Sequence, residues 1–159
     1  MPTVNTYRYV KQGNPEAYRL DPTGANPVQE GDMVMYDTLN LFVLPLTAGN
    51  ATAFTGVAEG VGPTPVSNID NKPNLVDSVK VRRHGIFTFN KTAGDSLKHE
   101  DPLKIGADAQ TVALATLPGD LAEVIGFVHN PLGSAPITGA GTVDVEIRTN
   151  APTVGAFGV

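Results

Sequence analysis

Val143-Asp144-Val145-Glu146-Ile147 alternates apolar and acidic residues without a break. Successive side chains of a strand point to opposite faces. Val143, Val145 and Ile147 therefore share one face, and Asp144, Glu146 and then Arg148 share the other. The stretch reads as a strand buried on one side and wet on the other. Val79-Lys80-Val81-Arg82 repeats the pattern. Met33-Val34-Met35-Tyr36, Leu41-Phe42-Val43-Leu44 and Ile86-Phe87-Thr88-Phe89 are further short runs with β character, as are Thr111-Val112-Ala113-Leu114 and Val124-Ile125-Gly126-Phe127-Val128. No segment keeps a 3.6-residue period for three turns. The best helical candidate, residues 118–124, is a single turn opened by Pro118. The expected fold is all-β, a small barrel or two-sheet sandwich with long loops and extended terminal arms.

The punctuation between these runs agrees. The 159 residues include 17 Gly and 13 Pro, too many for long helices and too few for low-complexity disorder. Gly followed by Asn or Asp recurs at Gly13, Gly31, Gly49, Gly94 and Gly119. A glycine at the first central position supplies the positive φ of a type II′ hairpin turn, and these five sites are read as such turns.

The chain also aligns with itself. Glu30-Gly31-Asp32 onward can be laid over Glu100-Asp101 onward with an offset of 69, then 70, residues. Val34 and Tyr36 then match Leu103 and Ile105, Val43 matches Val112, Gly49-Asn50 matches Gly119-Asp120, and Gly56-Val57-Ala58 matches Gly126-Phe127-Val128. Each copy continues through a Pro/Gly-rich loop, 60–73 or 131–141, into an alternating strand. A duplicated β unit suits closure, which removes exposed strand edges. The domain organisation read from this is an N-terminal arm over 1–6, a single β domain over 7–150 and a flexible tail over 151–159.

Charge and composition exclude several functions. With 11 Lys and Arg against 16 Asp and Glu the net charge is −5, so the whole chain offers no field for nucleic acid. Charged residues are only 17%, below the usual quarter or so, which suggests a surface partly covered by other chains. There is no cysteine, hence no disulfide, thiolate nucleophile or zinc–thiolate site. The opening Met1-Pro2-Thr3-Val4-Asn5 has no basic start before an apolar run, so no signal peptide is expected, and no apolar run is long enough to span a membrane.

Chemistry is sparse. His84, His99 and His129 stand apart with no metal-ligand spacing, and each reads as a surface residue. None of Ser67, Ser78, Ser96 and Ser134 sits in a GxSxG elbow. Glu100-Asp101 is a paired carboxylate, explained by a polar turn where a strand begins. No catalytic, metal or cofactor-binding residues are expected, and the chain is not expected to be an enzyme. Two stretches stand out as contact candidates. Lys80, Arg82, Arg83 and Lys91 fall within residues 79–91 without an acidic neighbour, with Lys80 and Arg82 on one outward face. Tyr7-Arg8-Tyr9-Val10 has the composition of interface anchors.

The ordered turns also carry a resemblance. Val10-Lys11-Gln12-Gly13, then Gln29-Glu30-Gly31-Asp32-Met33-Val34, Gly56-Val57-Ala58-Glu59-Gly60 and Val79 through Phe87, resemble the capsid cement (head decoration) proteins of tailed bacteriophages. Ala93-Gly94-Asp95, Ile125-Gly126-Phe127 and Val143-Asp144-Val145 continue it, so the likeness spans roughly residues 7–149. The chain departs from that pattern at Asn14 and in its longer 60–76 loop. The resemblance implies a small β-barrel protein, often a homotrimer, on the outer capsid surface. It would staple neighbouring major capsid proteins in the virion after assembly in the host cytoplasm, with no nucleic acid, membrane or cofactor. Tyr7, Arg8, Tyr9, Lys80, Arg82 and Arg83 are the expected capsid contacts. The alternative is a soluble β-sandwich module recognising carbohydrate or a host surface. The absence of Trp argues against it, because sugar platforms rely on stacking rings.

Overall fold

The computed structural model describes residues 16–59 and 78–148; the contact candidates Tyr7, Arg8 and Tyr9 and loop residues 60–77 lie outside this range. Among the described residues ten strands form: β1 Glu16–Arg19, β2 Met33–Asp37, β3 Phe42–Pro45, β4 Phe54–Ala58, β5 Ser78–Arg82, β6 Gly85–Lys91, β7 Pro102–Ile105, β8 Thr111–Leu114, β9 Gly126–Val128 and β10 Gly141–Ile147. The only helical pieces among the described residues are 3-10 segments at Ala48–Ala53 and Leu121–Glu123. None is long and apolar enough to cross a membrane.

The all-β expectation holds, as a closed five-stranded barrel, β10-β6-β8-β7-β9, joined to a five-stranded sheet, β1-β5-β4-β2-β3. Neighbouring strands of a ring alternate in direction, and five strands cannot alternate all the way round. One neighbouring pair must run parallel, and β6 with β8 is that pair.

The two sheets are copies of one design. The β2–β3, β2–β4, β4–β5 and β1–β5 pairings recur as β7–β8, β7–β9, β9–β10 and β6–β10. Register is kept: Val34 opposite Gly56 corresponds to Leu103 opposite Gly126, and Tyr36 opposite Val43 to Ile105 opposite Val112. Even the parallel closure has its counterpart. Leu20 forms a parallel bridge to Val43, as Lys91 does to Val112. The first sheet is thus a barrel closed by one bridge, and the duplication read from the sequence is a structural fact.

Each copy begins with the same turn. The N–H of Gln29 donates to Asp32 Oδ2 at 2.8 Å, and that of Lys98 to Asp101 Oδ2 at 2.7 Å. Gly31 and Glu100 donate their N–H groups to the carbonyls of Ala58 and Val128. Both sit in the left-handed region, at φ 91° and 72°. Glycine reaches it without strain; glutamate does not.

The interiors match residue for residue. Val28, Val34, Val43, Ala58, Val79 and Val81 fill the first unit, and Leu97, Leu103, Val112, Val128, Val143 and Val145 occupy the same places in the second. The second core is larger because Met33, Leu46, Ala51 and Val57, from the outer side of the first unit, join it.

Four details differ from the sequence reading. Gly49 and Gly119 do not have positive φ; they lie in or beside the 3-10 connections, where Asn50 bonds back to Thr47 and Asp120 to Thr116. β3 starts at Phe42 because Leu41 is turned into the left-handed region, φ 63°. β9 starts at Gly126, shorter than the run from Val124 suggested. β1 and β4 lack alternation and are not among the runs read as strands, whereas β7, despite opening with Pro102, lies where a strand is expected after Glu100-Asp101.

Gly56 and Gly126 mark where the backbones come closest. A Cβ on Gly126 would lie 2.5 Å from the Glu146 carbonyl oxygen, and one on Gly56 would lie 2.7 Å from that of Arg82. Gly126→Ala and Gly56→Ala are expected to destabilise by about 1–3 kcal/mol each, as overpacking against immovable backbone does. Gly49→Ala, with no atom within 4 Å of its Cβ, should be near neutral. Urea unfolding of the three variants tests this, and equal costs would refute the repeat-specific close approach.

Candidate interaction surfaces

β5 and β6 are joined by the short Arg83-His84 connection, which is also where the first unit passes into the second. β5 buries Val79 and Val81 and turns Lys80 outward, as alternation required. The rest of the basic window is engaged within the chain. Arg82 lies against Glu59 through Nε, with a second bond from Nη2 to Oε1 at 3.0 Å. Arg83 donates to the Tyr18 hydroxyl at 3.0 Å and lies 3.6 Å from Glu16. Lys91 does not belong to the surface at all. It is buried, its Nζ donating to the carbonyls of Gly139 at 2.7 Å and Thr92 at 3.1 Å. The odd-numbered side of β6 faces the core, so charge counting along the chain overstated the patch. What remains is Lys80 beside two paired arginines.

Electrostatics follow from these pairs. The hydrogen bond from Arg82 holds the Glu59 carboxyl below its ordinary value, and Glu59 in turn raises Arg82. Burial first, then the charge of Arg83, lowers His84.

A second surface lies on the second unit. Phe127 is half-buried under the Arg148 guanidinium, 4.5 Å from its ring centre. Arg148 pairs with Glu100 at 2.7 Å and Glu146 at 3.1 Å. Lys104 reaches Asp120 at 3.0 Å and Glu123 at 3.9 Å. His99 and His129 meet edge to face, and the Asn130 N–H donates to His99 Nδ1 at 3.0 Å. The Glu100-Asp101 pair is therefore structural: Asp101 holds the turn and Glu100 binds Arg148. By register this face corresponds to the side of the first unit that packs on the second, Phe127 standing where Val57 stands and Lys104 where Met35 stands. Here charges replace the apolar contact.

Between the units runs an open groove of about 450 Å³ with Glu30, Val57, Glu59, Phe87 and Thr88 among its lining. Its two carboxylates come from the turn before β2 and from the residue after β4, and Glu59 is already held by Arg82. Among the described residues, no three His, Asp or Glu side chains gather as a metal site would need.

No family model matches this chain, and no curated protein matches it. Among solved structures it is similar to the head fiber gp8.5 N base of bacteriophage phi29. That likeness has a TM-score of 0.40 at 13% identity, covering 84% of this chain and 92% of the other. A likeness at that level carries no functional weight.

A third surface escaped the sequence reading. The β2–β3 connection displays Leu39 and Leu41, with Tyr36 beside them. The internal alignment held the signal: residues 39–41, Leu-Asn-Leu, fall opposite residues 108–110, Asp-Ala-Gln. Loop leucines are individually unremarkable, and only the comparison of copies singles these out.

The Arg148 cluster makes a pH prediction. Its hydrogen bond lowers the Glu100 carboxyl from an ordinary 4.5. A carboxyl lowered on folding contributes stability that is complete above its unfolded value and is lost as pH falls through its folded one. Glu100→Gln should therefore melt below the wild type at pH 7 and converge with it as pH falls through the lowered value of the folded state, on the acid side of 4.5. A gap that stays constant with pH would refute the role of the ion pair.

Proposed function

We propose that this protein is a structural component of a phage virion that binds the outer capsid surface as a homotrimer and stabilises contacts between major capsid proteins. The observation that carries this reading is the order of turn and strand motifs from Val10-Lys11-Gln12-Gly13 to Val143-Asp144-Val145, which resembles the capsid cement proteins. The fold is compatible with the role. The Gln29 to Asp32 motif forms the opening turn of the first unit, and Val79 through Phe87 spans β5 and the start of β6, where the first unit passes into the second. These motifs build a rigid body, and their polar groups are committed to turns and ion pairs rather than converging on a reacting atom. Stapling requires only a stiff body and several modest contacts, because linked sites raise one another's effective concentration. On this reading the protein works without a cofactor or enzymatic activity, contacts neither nucleic acid nor membrane, and resides on the capsid surface after assembly in the host cytoplasm. Tyr7, Arg8 and Tyr9 remain proposed contacts beside Lys80, Arg82 and Arg83.

Purified protein added to expanded shells lacking it should bind stoichiometrically and raise their melting temperature; no binding would reject the reading. Arg82→Glu combined with Arg83→Glu should weaken that binding in a salt-sensitive way. Because Arg82 also holds Glu59, Glu59→Gln serves as the control: it breaks the pair while leaving both arginines. Loss of binding in the control as well would assign the effect to the pair and not to a basic contact.

A further inference from the structure

The two copies place the corresponding connection, 38–41 and 106–110, at the same end of each barrel, but only one is covered. In the second unit this end is an interface. The Ala109 carbonyl accepts the Met33 N–H at 2.7 Å, and the Gln110 side chain donates to Asp32 Oδ1 at 2.8 Å. Met33, Val57 and Leu46 of the first unit then close over the apolar positions around it. Ile105, at the end of β7, is 4% exposed as a result. Its counterpart Tyr36 is 36% exposed, and Leu39 and Leu41 are exposed by 86% and 56%.

The uncovered end is built to keep its shape. Asp37 Oδ1 accepts the N–H groups of Leu39 and Asn40, and its Oδ2 accepts from the Asn40 side chain. Its carbonyl accepts the Leu41 N–H at 2.7 Å. Tyr36 stacks edge to face on Tyr18. Leu41 sits at φ 63°, where asparagine or glycine is at ease and leucine is strained. A strained, exposed apolar residue in an otherwise well-bonded turn points to use.

We infer that Tyr36, Leu39 and Leu41 form a docking surface for an apolar strand face of a major capsid protein, an inference that rests on the function proposed above. The internal interface defines the chemistry of the occupant. It presents aliphatic side chains in the manner of Met33 and Val57, and a main-chain N–H for the Asn40 carbonyl in the manner of the bond from Met33 to Ala109. A second copy docking head to tail would have to offer the corresponding face of its second unit. That face carries Lys104, Arg148, Glu100 and Glu146 around Phe127, a poor match for two leucines.

The test is Leu39→Asp with Leu41→Asn in the full chain, measured against expanded shells lacking the protein. Wild-type binding with at least roughly tenfold weaker binding of the variant, at a melting temperature no lower than that of the wild type and an unchanged oligomeric state, is the expected result. Equal binding of both overturns this surface while leaving the proposed function standing. Failure of the wild type itself to bind overturns the proposed function and this inference with it. A variant that changes oligomeric state in sedimentation without shells assigns the surface to another copy and overturns the inference. A variant that melts several degrees lower assigns it to the chain's own residues, which also overturns it.

Discussion

The contact that everything else depends on is the one by which Met33, Leu46, Ala51 and Val57 leave the first unit and enter the core of the second. Neither unit has many residues, and a small β unit alone buries too little apolar surface to offset its lost conformational entropy. Sharing a core changes that balance. The polar part of the joint then acquires a definite register: Met33 N–H to the Ala109 carbonyl, and Asp32 between the Gln29 N–H and the Gln110 side chain. Asp32 is buried and hydrogen-bonded on both carboxylate oxygens, as a buried charge must be.

Duplication followed by asymmetric burial accounts for most differences between the two halves. The same turn is built on Gly31 in one and Glu100 in the other, because Glu100 has acquired a partner in Arg148. The bridging position is Leu20 in one and the buried Lys91 in the other, where carbonyls of the 131–141 loop and of Thr92 receive its ammonium. The outer side of the first unit is apolar because it is covered, and that of the second is charged because it is not. A polar outer face on a terminal repeat is what stops a stack from growing. The exposed leucines at the opposite end are the exception to this economy.

For the function, the structure redistributes weight among the candidate contacts. The basic window contributes less free charge than its residues promised, since Arg82 and Arg83 are paired and Lys91 is internal. A staple that gathers several modest contacts does not depend on one strong patch.

The all-β class, the strands that alternate and the repeat itself were legible in the residues, because each rests on a period of two or on a fixed offset along the chain. Val143, Val145 and Ile147 could only be read one way. β1 and β4 were not legible on their own, because Glu16-Ala17-Tyr18-Arg19 and the glycine of β4 carry weak strand signals that only pairing overrides. The glycine turns were legible only as turns: Gly31 and Gly94 take the positive φ, but at the second central position and between strands that do not pair, so neither closes the expected hairpin, while Gly49 and Gly119 go into 3-10 connections because the next strand must cross to a new neighbour. Which arginine is paired, which lysine is buried and which leucine is left uncovered were decided only by the tertiary structure. Those outcomes depend on partners far apart in the chain, such as Glu59 for Arg82 and Gly139 for Lys91, brought together only when the barrels close and share a core.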